Sequence, residues 1–494
     1  MVTARVGIPR AAIYPSLWTA AFVVNVYAVS NVTLEALPRP LVIAVIFSVL
    51  LHLALSVILR NSDRGAFVSL ILLVVLMGLY LVALILAGWL VVAILVAFRR
   101  RMGLRTMPWL RATRILNAVA GLTFVFVVVD AAIAGAFTFS SGPWDIPRGT
   151  AAAGLPDIYL IMLDGYPRSD TIANNFGLDN GPFLSSMESL GFEVATASHS
   201  NYDATVLTLA TMFNGAQIQT LIPDPPKTQA AQFRAVSKLI NQGSRLRALR
   251  QAGYELVSIP SGYYEGTLLS ADRDLDSGEL STFEMQLLWT GGLPRVLSGL
   301  ERSWIPDQHR SRIRTTFETL GTLAAERSDT PKFVFAHVLT PHMPIAFTST
   351  GAAAEALPCF PVLCSLYTYG DEYGDATIVP MRGQIEWVNA EVEETVRSIQ
   401  AQSKVPPVIV IFSDHGLRNR PADRDEMFRS FFLAATPGRT DVFPLDTSPV
   451  NMLTRLLNAY TGSQFELSSE EAYWLDTRSF GPRQLFELEP WPIR

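Results

Sequence analysis

The chain has 494 residues, 49% hydrophobic and 17% charged, with a net charge of −5. A charged fraction so far below the usual quarter argues against a wholly soluble protein, and the acidic balance argues against a general nucleic-acid binder. The apolar excess lies in the first ~140 residues, in runs long enough to span a bilayer, and the remaining ~350 can bury a substantial core of their own.

Four apolar runs are predicted as membrane segments: residues 12–30, 40–59, 66–98 and 115–139. The third would be roughly 50 Å long as one helix, against a hydrocarbon core of ~30 Å. The stretch 99–114 carries six Arg and no acid, which places it on the cytoplasmic side. With Arg5 and Arg10 also inside, 66–98 is a hairpin turning near 78–81 or Gly88, and the spans number five. With the N-terminus outside, 66–98 is one tilted span and they number four. Either way, everything after residue 139 is extracytoplasmic, in a multi-pass protein of the cell membrane. Asp130 is expected near the outer interface, and His52 to serve in helix packing. Residues 140–156 are rich in Gly, Pro and Ala and suit a linker, with Trp144 able to sit at the membrane interface.

Residues 157–494 are predicted to be an α/β domain: a mostly parallel central sheet with helices on both faces. Residues 157–163 and 408–412 are continuous apolar runs, each reading as a strand buried on both faces. The first stops at Asp164-Gly165, the second at Ser413-Asp414-His415-Gly416. Ligands in such sheets sit beyond the carboxyl ends of the strands. There, Asp and His are either a turn cap and a satisfied imidazole or part of a metal site. Between the runs, a helix is expected on Phe183, Leu184, Met187 and Leu190, closed by Gly191. Another begins near Thr205 and ends at Gly215. At that N-terminus Thr205 is either a helix cap or a nucleophile facing an anion held by the helix end.

Residues 235–251 read as one helix, 254–259 as a strand, and 261–306 as an unassigned insertion on the substrate side. A helix over 310–327 and a strand over 332–338 follow, then a Pro-flanked His342, rigid enough for a substrate contact. Cys359 and Cys364 share one loop and, outside the membrane, are expected to form a small disulfide. A helix over 381–402 leads into the strand at 408. Arg418 and Arg420 are either anion contacts or solvated charges. A strand over 428–435 and a helix over 449–460 complete the domain.

In this order, the elements resemble the alkaline phosphatase superfamily, in its membrane-anchored sulfatase-like branch, which includes lipoteichoic acid synthase and the lipid A phosphoethanolamine transferases. The resemblance covers roughly 156–460. It rests on the strand ending at Asp164, on Asn201-Tyr202-Asp203-Ala204-Thr205 leading into Leu209-Ala210, on His337-Val338-Leu339-Thr340-Pro341-His342, on Gln384 and Asn389, and on Ser413-Asp414-His415-Gly416. It implies an alkaline-phosphatase-like fold and one divalent cation, Mn²⁺ or Zn²⁺, on Asp164, Thr205, Asp414 and His415. A second metal stays open, since no second Asp with two His is found. Thr205 would be the nucleophile. His342 and His337 would orient the donor or protonate the leaving group, and His342, Arg418 and Asn201 would contact substrate. Two departures stand out. Thr205 is followed by Val206-Leu207-Thr208 rather than a sulfatase's Pro-x-Arg, and Asp164 stands where the transferases usually have Glu.

The implied activity is transfer of a phospho-headgroup, such as phosphoglycerol or phosphoethanolamine, from a membrane phospholipid to a glycan or lipid acceptor through a phospho-Thr205 intermediate. The alternatives are a phosphodiesterase or phosphatase with water as acceptor, and an inactive membrane scaffold.

Overall fold

A computed structural model describes residues 11–30, 32–77, 109–133, 135–137, 144–263, 266–290, 303–355, 377–418, 424–475 and 485–492. The chain forms two compact units, residues 1–138 with 283–301 and residues 139–282 with 302–494.

The first unit is helical: α1 (Tyr14–Val29), α2 (Pro38–Ile58), α3 (Ser62–Leu76) and α4 (Trp109–Ile133). Asn117 of α4 accepts from the Ile13 and Tyr14 amides at 3.0 Å and donates to the Ala11 carbonyl at 2.9 Å. It thus satisfies amides that a helix start leaves open. At Gly65, α2 and α3 come so close that a Cβ would fall 2.4 Å from Ser56 Oγ. His52 sits at the same corner, its Nε2 3.2 Å from the Ser62 carbonyl. Val42, Ile46, Leu50, Leu53 and Val57 of α2, and Leu122, Val125, Phe126 and Val129 of α4, are exposed. A water-soluble bundle would bury such rows. The helical stretches Leu34–Ile58 and Arg111–Ile133 are long and apolar enough to cross a membrane. Asp130 is exposed on α4. The turn of the expected hairpin and most of the Arg-rich stretch lie outside the described residues. Part of the unassigned insertion belongs to this unit: in the helix Thr282–Thr290, Phe283 packs edge-on to Tyr27 and Glu284 pairs with Arg39.

The second unit is built on a seven-stranded sheet of order β2-β7-β6-β1-β5-β3-β4. Its strands are β1 (Ile158–Leu163), β2 (Glu193–Val194), β3 (Glu255–Ile259), β4 (Arg273–Asp274), β5 (Lys332–Val338), β6 (Val408–Phe412) and β7 (Phe432–Ala435). β6, β1, β5, β3 and β4 are parallel, and β7 runs against both β6 and β2. β1 is central and wholly buried. Its side chains alternate between two cores, as pleating requires. Ile158, Leu160 and Met162 meet α7 (Thr205–Asn214), α8 (Gln229–Asn241), α9 (Ser244–Gln251) and α12 (Met452–Thr461). Tyr159, Ile161 and Leu163 meet α6 (Gly181–Ser189), α10 (Ile305–Ala325) and α11 (Ile378–Gln402), while α5 (Ser169–Phe176) adds Ile172 and Phe176 to that side. Burial on both faces is why these strands lack polar alternation.

Three expectations change. The single helix over 235–251 breaks between α8 and α9, because Gly243 passes so close to α7 that a Cβ would lie 2.4 Å from the Phe213 carbonyl. The strand over 428–435 begins only at Phe432 and is antiparallel. The last helix opens with a 3-10 turn, Pro449–Asn451. Trp144 gives its indole N–H to the Ser270 carbonyl at 2.8 Å, within the globular unit. The cysteine pair and Arg420 lie outside the described residues.

Candidate metal centre and nucleophile

Parallel strands end together: here β1 runs into Asp164, β6 runs into Ser413-Asp414-His415, and β5 carries His337 one residue before its end. β1 pairs Met162 with His337 of β5 and with Phe412 of β6. Asp164 therefore emerges beside His337 and level with Asp414. The Asp164 amide donates to the Val338 carbonyl at 3.0 Å, and its carbonyl accepts from the His342 amide at 2.9 Å. The next residue must be glycine. Gly165 has φ +66°, and a Cβ would lie 3.2 Å from His415 Cε1 and 3.4 Å from His342 Cδ2. Its amide donates to Asp414 Oδ1 at 3.1 Å. Ser413 Oγ accepts from the Tyr166 amide at 2.8 Å and donates to the His415 carbonyl at 2.7 Å, tying the two strand ends together.

Thr205 is the first residue of α7. The N-cap is Ala204, in extended conformation, and no side chain caps the helix. The capping role considered for Thr205 is therefore not the one it takes. Its hydroxyl instead faces the Asp414 carboxyl and favours that group's charged form. Thr208, one turn on, anchors α7 by donating to the Asp414 carbonyl at 3.0 Å. The preceding loop is held by Asn201. Both its amide hydrogens are used within the protein, on Ser448 Oγ and the Glu471 carbonyl at 3.1 Å, and its Oδ1 accepts from the Val450 amide at 3.0 Å. Expected as a substrate contact, Asn201 is found as a buried brace of the loop that leads into Thr205.

The electrostatics centre on Asp164, which is buried. His337 Nε2 lies 2.9 Å from its Oδ2, and His337 Nδ1 lies 3.0 Å from Ser261 Oγ. Burial raises the Asp164 carboxyl, but His342 and the His337 hydrogen bond outweigh it and hold the group well below the usual carboxylate range. Burial, and then the Asp164 charge, push Asp414 up to about 6. Two buried carboxylates side by side cannot both ionise freely. His415 is held far below its ordinary range by burial and by the Arg418 charge, so it is neutral. Its Nδ1 lies 2.8 Å from the Gly416 carbonyl. A carbonyl only accepts, so Nδ1 carries the hydrogen and Nε2 presents a lone pair. His342 is oriented the same way by the Met343 carbonyl.

The consequence is a convergence of lone pairs. His415 Nε2 stands 3.6 Å from Asp164 Oδ1 and 3.5 Å from Asp414 Oδ2, and His342 Nε2 stands 3.8 Å from Asp164 Oδ1. Among the described residues, neither of those two buried carboxylate oxygens has a hydrogen-bond partner. Orphaned buried oxygens are costly, and a cation among them would remove the cost. The donor set of carboxylates, imidazole and hydroxyl fits Mn²⁺ or Zn²⁺. Ligating atoms of Asp164, His342 and His415 all fall within 4.8 Å of one another. Arg418 stands beside them: its Nη2 donates to His415 Nε2 at 2.6 Å and its Nη1 to the Asp203 carbonyl at 2.7 Å.

Asp164, Thr205, Asp414 and His415 thus come together as the sequence order suggested. His342 joins the same cluster, and His337 lies one bond behind Asp164. Residues not foreseen in their roles are Gly165, Ser413 and Ser261. The first two lie inside the quoted motifs, where a Gly after a strand-end acid was the available signal. Gln384 braces the His342 loop: its Oε1 accepts from the Ala346 and Phe347 amides at 2.6 and 3.2 Å, and its Nε2 donates to the Pro341 carbonyl at 3.0 Å. Asn389 instead bonds Asn180 at 2.8 Å and receives the Tyr166 hydroxyl at 2.5 Å, behind the strand ends.

No family profile and no curated protein sequence matches the chain. Solved structures similar to it include phosphoethanolamine transferases and sulfatases. The C-terminal periplasmic domain of EcEptC from Escherichia coli is 12% identical, with a TM-score of 0.43 over 70% of this chain and 96% of that one. The integral membrane lipooligosaccharide phosphoethanolamine transferase A from Neisseria meningitidis is 12% identical, with a TM-score of 0.42 over 81% and 69%. A 2-O GAG sulfatase is 13% identical, with a TM-score of 0.40 over 65% and 77%.

Proposed function

We propose that the globular unit is a metal-dependent phosphotransferase, presented on the extracytoplasmic face of a cell membrane by a multi-pass helical unit. The observation that carries this reading is the position of Thr205. Its hydroxyl faces the Asp414 carboxyl from the first residue of a helix, where open backbone amides favour an anion. Asp164, Asp414, His415 and Thr205 would hold one divalent cation, with His342 in reach of the same place. A cation there lowers the pKa of the Thr205 hydroxyl and offsets charge on the phosphoryl oxygens.

Thr205 Oγ attacks the phosphorus of a phospholipid diester. The bond from phosphorus to the lipid oxygen breaks and the lipid leaves as its alcohol, so the headgroup phosphate stays on Thr205. Asp414 orients the attacking hydroxyl. His342 either orients the donor or carries the proton to the leaving oxygen. A hydroxyl of an envelope glycan or lipid then takes the group and frees Thr205. Mass spectrometry of the protein quenched during turnover of labelled phospholipid is expected to find a phospho-headgroup on Thr205. An adduct elsewhere, or none under any donor, would overturn the mechanism. Label released only when an acceptor is present separates transfer from hydrolysis.

Metal binding should depend on pH in one direction. Below about 6 Asp414 carries a proton, which a cation must displace. His415 titrates far lower and does not compete there. Zn²⁺ affinity is therefore expected to fall roughly tenfold per pH unit below 6 and to level off above it. Calorimetry between pH 4.5 and 8 checks this, and a flat profile would remove Asp414 from the ligand set.

A further inference from the structure

We infer that Arg418 and the divalent cation compete for the same lone pair of His415, so that loading the metal frees the guanidinium to hold a phosphoryl oxygen. This rests on reading the site as a phosphoryl-transfer centre. His415 Nδ1 is committed to the Gly416 carbonyl, and Nε2 accepts from Arg418 Nη2 at 2.6 Å. An imidazole nitrogen has one in-plane lone pair, so a guanidinium and a cation exclude each other there. Arg418 is only 8% exposed and supplies positive charge to the Asp414 carboxyl.

Arg418 is held at one corner. Nη1 is anchored on the Asp203 carbonyl at 2.7 Å, two residues before Thr205, while Nε is buried with no partner among the described residues. Released from His415, the guanidinium can pivot about that anchor without leaving the site. A dication at the carboxylates repels it, and the freed Nη2 and Nε then form a fork suited to phosphoryl oxygens. Arg418, His342 and Gly165 line one cleft beside the strand ends. Metal and phosphoryl group would therefore bind in order, the first unlocking the residue that holds the second.

The two halves predict effects of opposite sign, which a merely structural residue would not give. The full chain in detergent, stripped with chelator, is titrated calorimetrically with Zn²⁺, and the Zn²⁺-loaded protein is then titrated with inorganic phosphate. Arg418→Gln is expected to bind Zn²⁺ about ten- to a hundredfold more tightly than wild type, because one charge-assisted hydrogen bond no longer competes. It should bind phosphate at least tenfold more weakly. Arg418→Lys keeps a charge but loses the fork, and should tighten Zn²⁺ less while losing phosphate to a similar degree. It also serves as the second variant if the glutamine protein does not fold. Equal or weaker Zn²⁺ binding in the variants, with wild type binding normally, overturns the competition alone. Absence of Zn²⁺ binding by wild type overturns the underlying reading of the site as well.

Discussion

Thr205→Ala is expected to lower phospholipid turnover by at least about 10⁴-fold, the scale on which removal of a covalent nucleophile acts. Zn²⁺ affinity should stay within roughly tenfold of wild type, because Asp164, Asp414, His415 and the nearby His342 remain. The variant should fold. Thr205 is the first residue of α7 and makes no cap bond, and alanine is at home in a helix. Thr205→Ser should recover part of the rate, since it restores the hydroxyl without the methyl group. Thr208→Ala is the matched control. It removes the bond to the Asp414 carbonyl, so it should cost stability, about 1 kcal/mol for one hydrogen bond, while the adduct on Thr205 still forms. Full turnover by Thr205→Ala, measured on labelled phospholipid, would sink the nucleophile assignment.

The carboxyl edge of the sheet was legible because its strands are buried on both faces. Such strands must be apolar from end to end, so a polar residue marks where one stops. Asp164 and the Ser413-Asp414-His415 run are such stops. Their adjacency needs the strand order, with β1 between β5 and β6, which no single stretch carries. The break between α8 and α9 was hidden because Gly243 owes its place to Phe213, a contact thirty residues away in sequence. The antiparallel sense of β7 was hidden for a similar reason, since a buried apolar run has no direction of its own. Asn201 shows the limit at the site itself. A polar residue four positions before Thr205 reads as a substrate contact, and only its three bonds to Ser448, Val450 and Glu471 reveal a brace. His342 and Arg418 were visible as charged or titratable loop residues, but their approach to the His415 and Asp164 cluster is a matter of tertiary geometry.

Asp414→Asn should act in opposite directions on stability and on metal binding. In metal-free protein the wild-type carboxyl is raised to about 6 from an ordinary 3.8. A carboxyl raised by folding adds stability below its unfolded value and loses it as pH rises through its folded value. Above pH 6 the ionised Asp414 therefore costs the fold on the order of 3 kcal/mol. Asparagine avoids that charge. Its Oδ1 can keep the Gly165 amide bond, and its amide hydrogens can face the orphaned Asp164 Oδ1. Metal-free Asp414→Asn should thus be about 1–3 kcal/mol more stable than wild type at pH 7.5, with the advantage gone by pH 4. Zn²⁺ should reverse the ranking. Losing one anionic ligand of four is expected to weaken binding by roughly 10²–10³-fold, so Zn²⁺ raises the melting temperature of wild type far more than that of the variant. Melting curves at both pH values, with and without Zn²⁺, read all four states. A variant that is less stable without metal at pH 7.5 would mean that Asp414 is held by hydrogen bonds rather than strained by its neighbour. A variant with undiminished Zn²⁺ stabilisation would mean that the cation does not touch it.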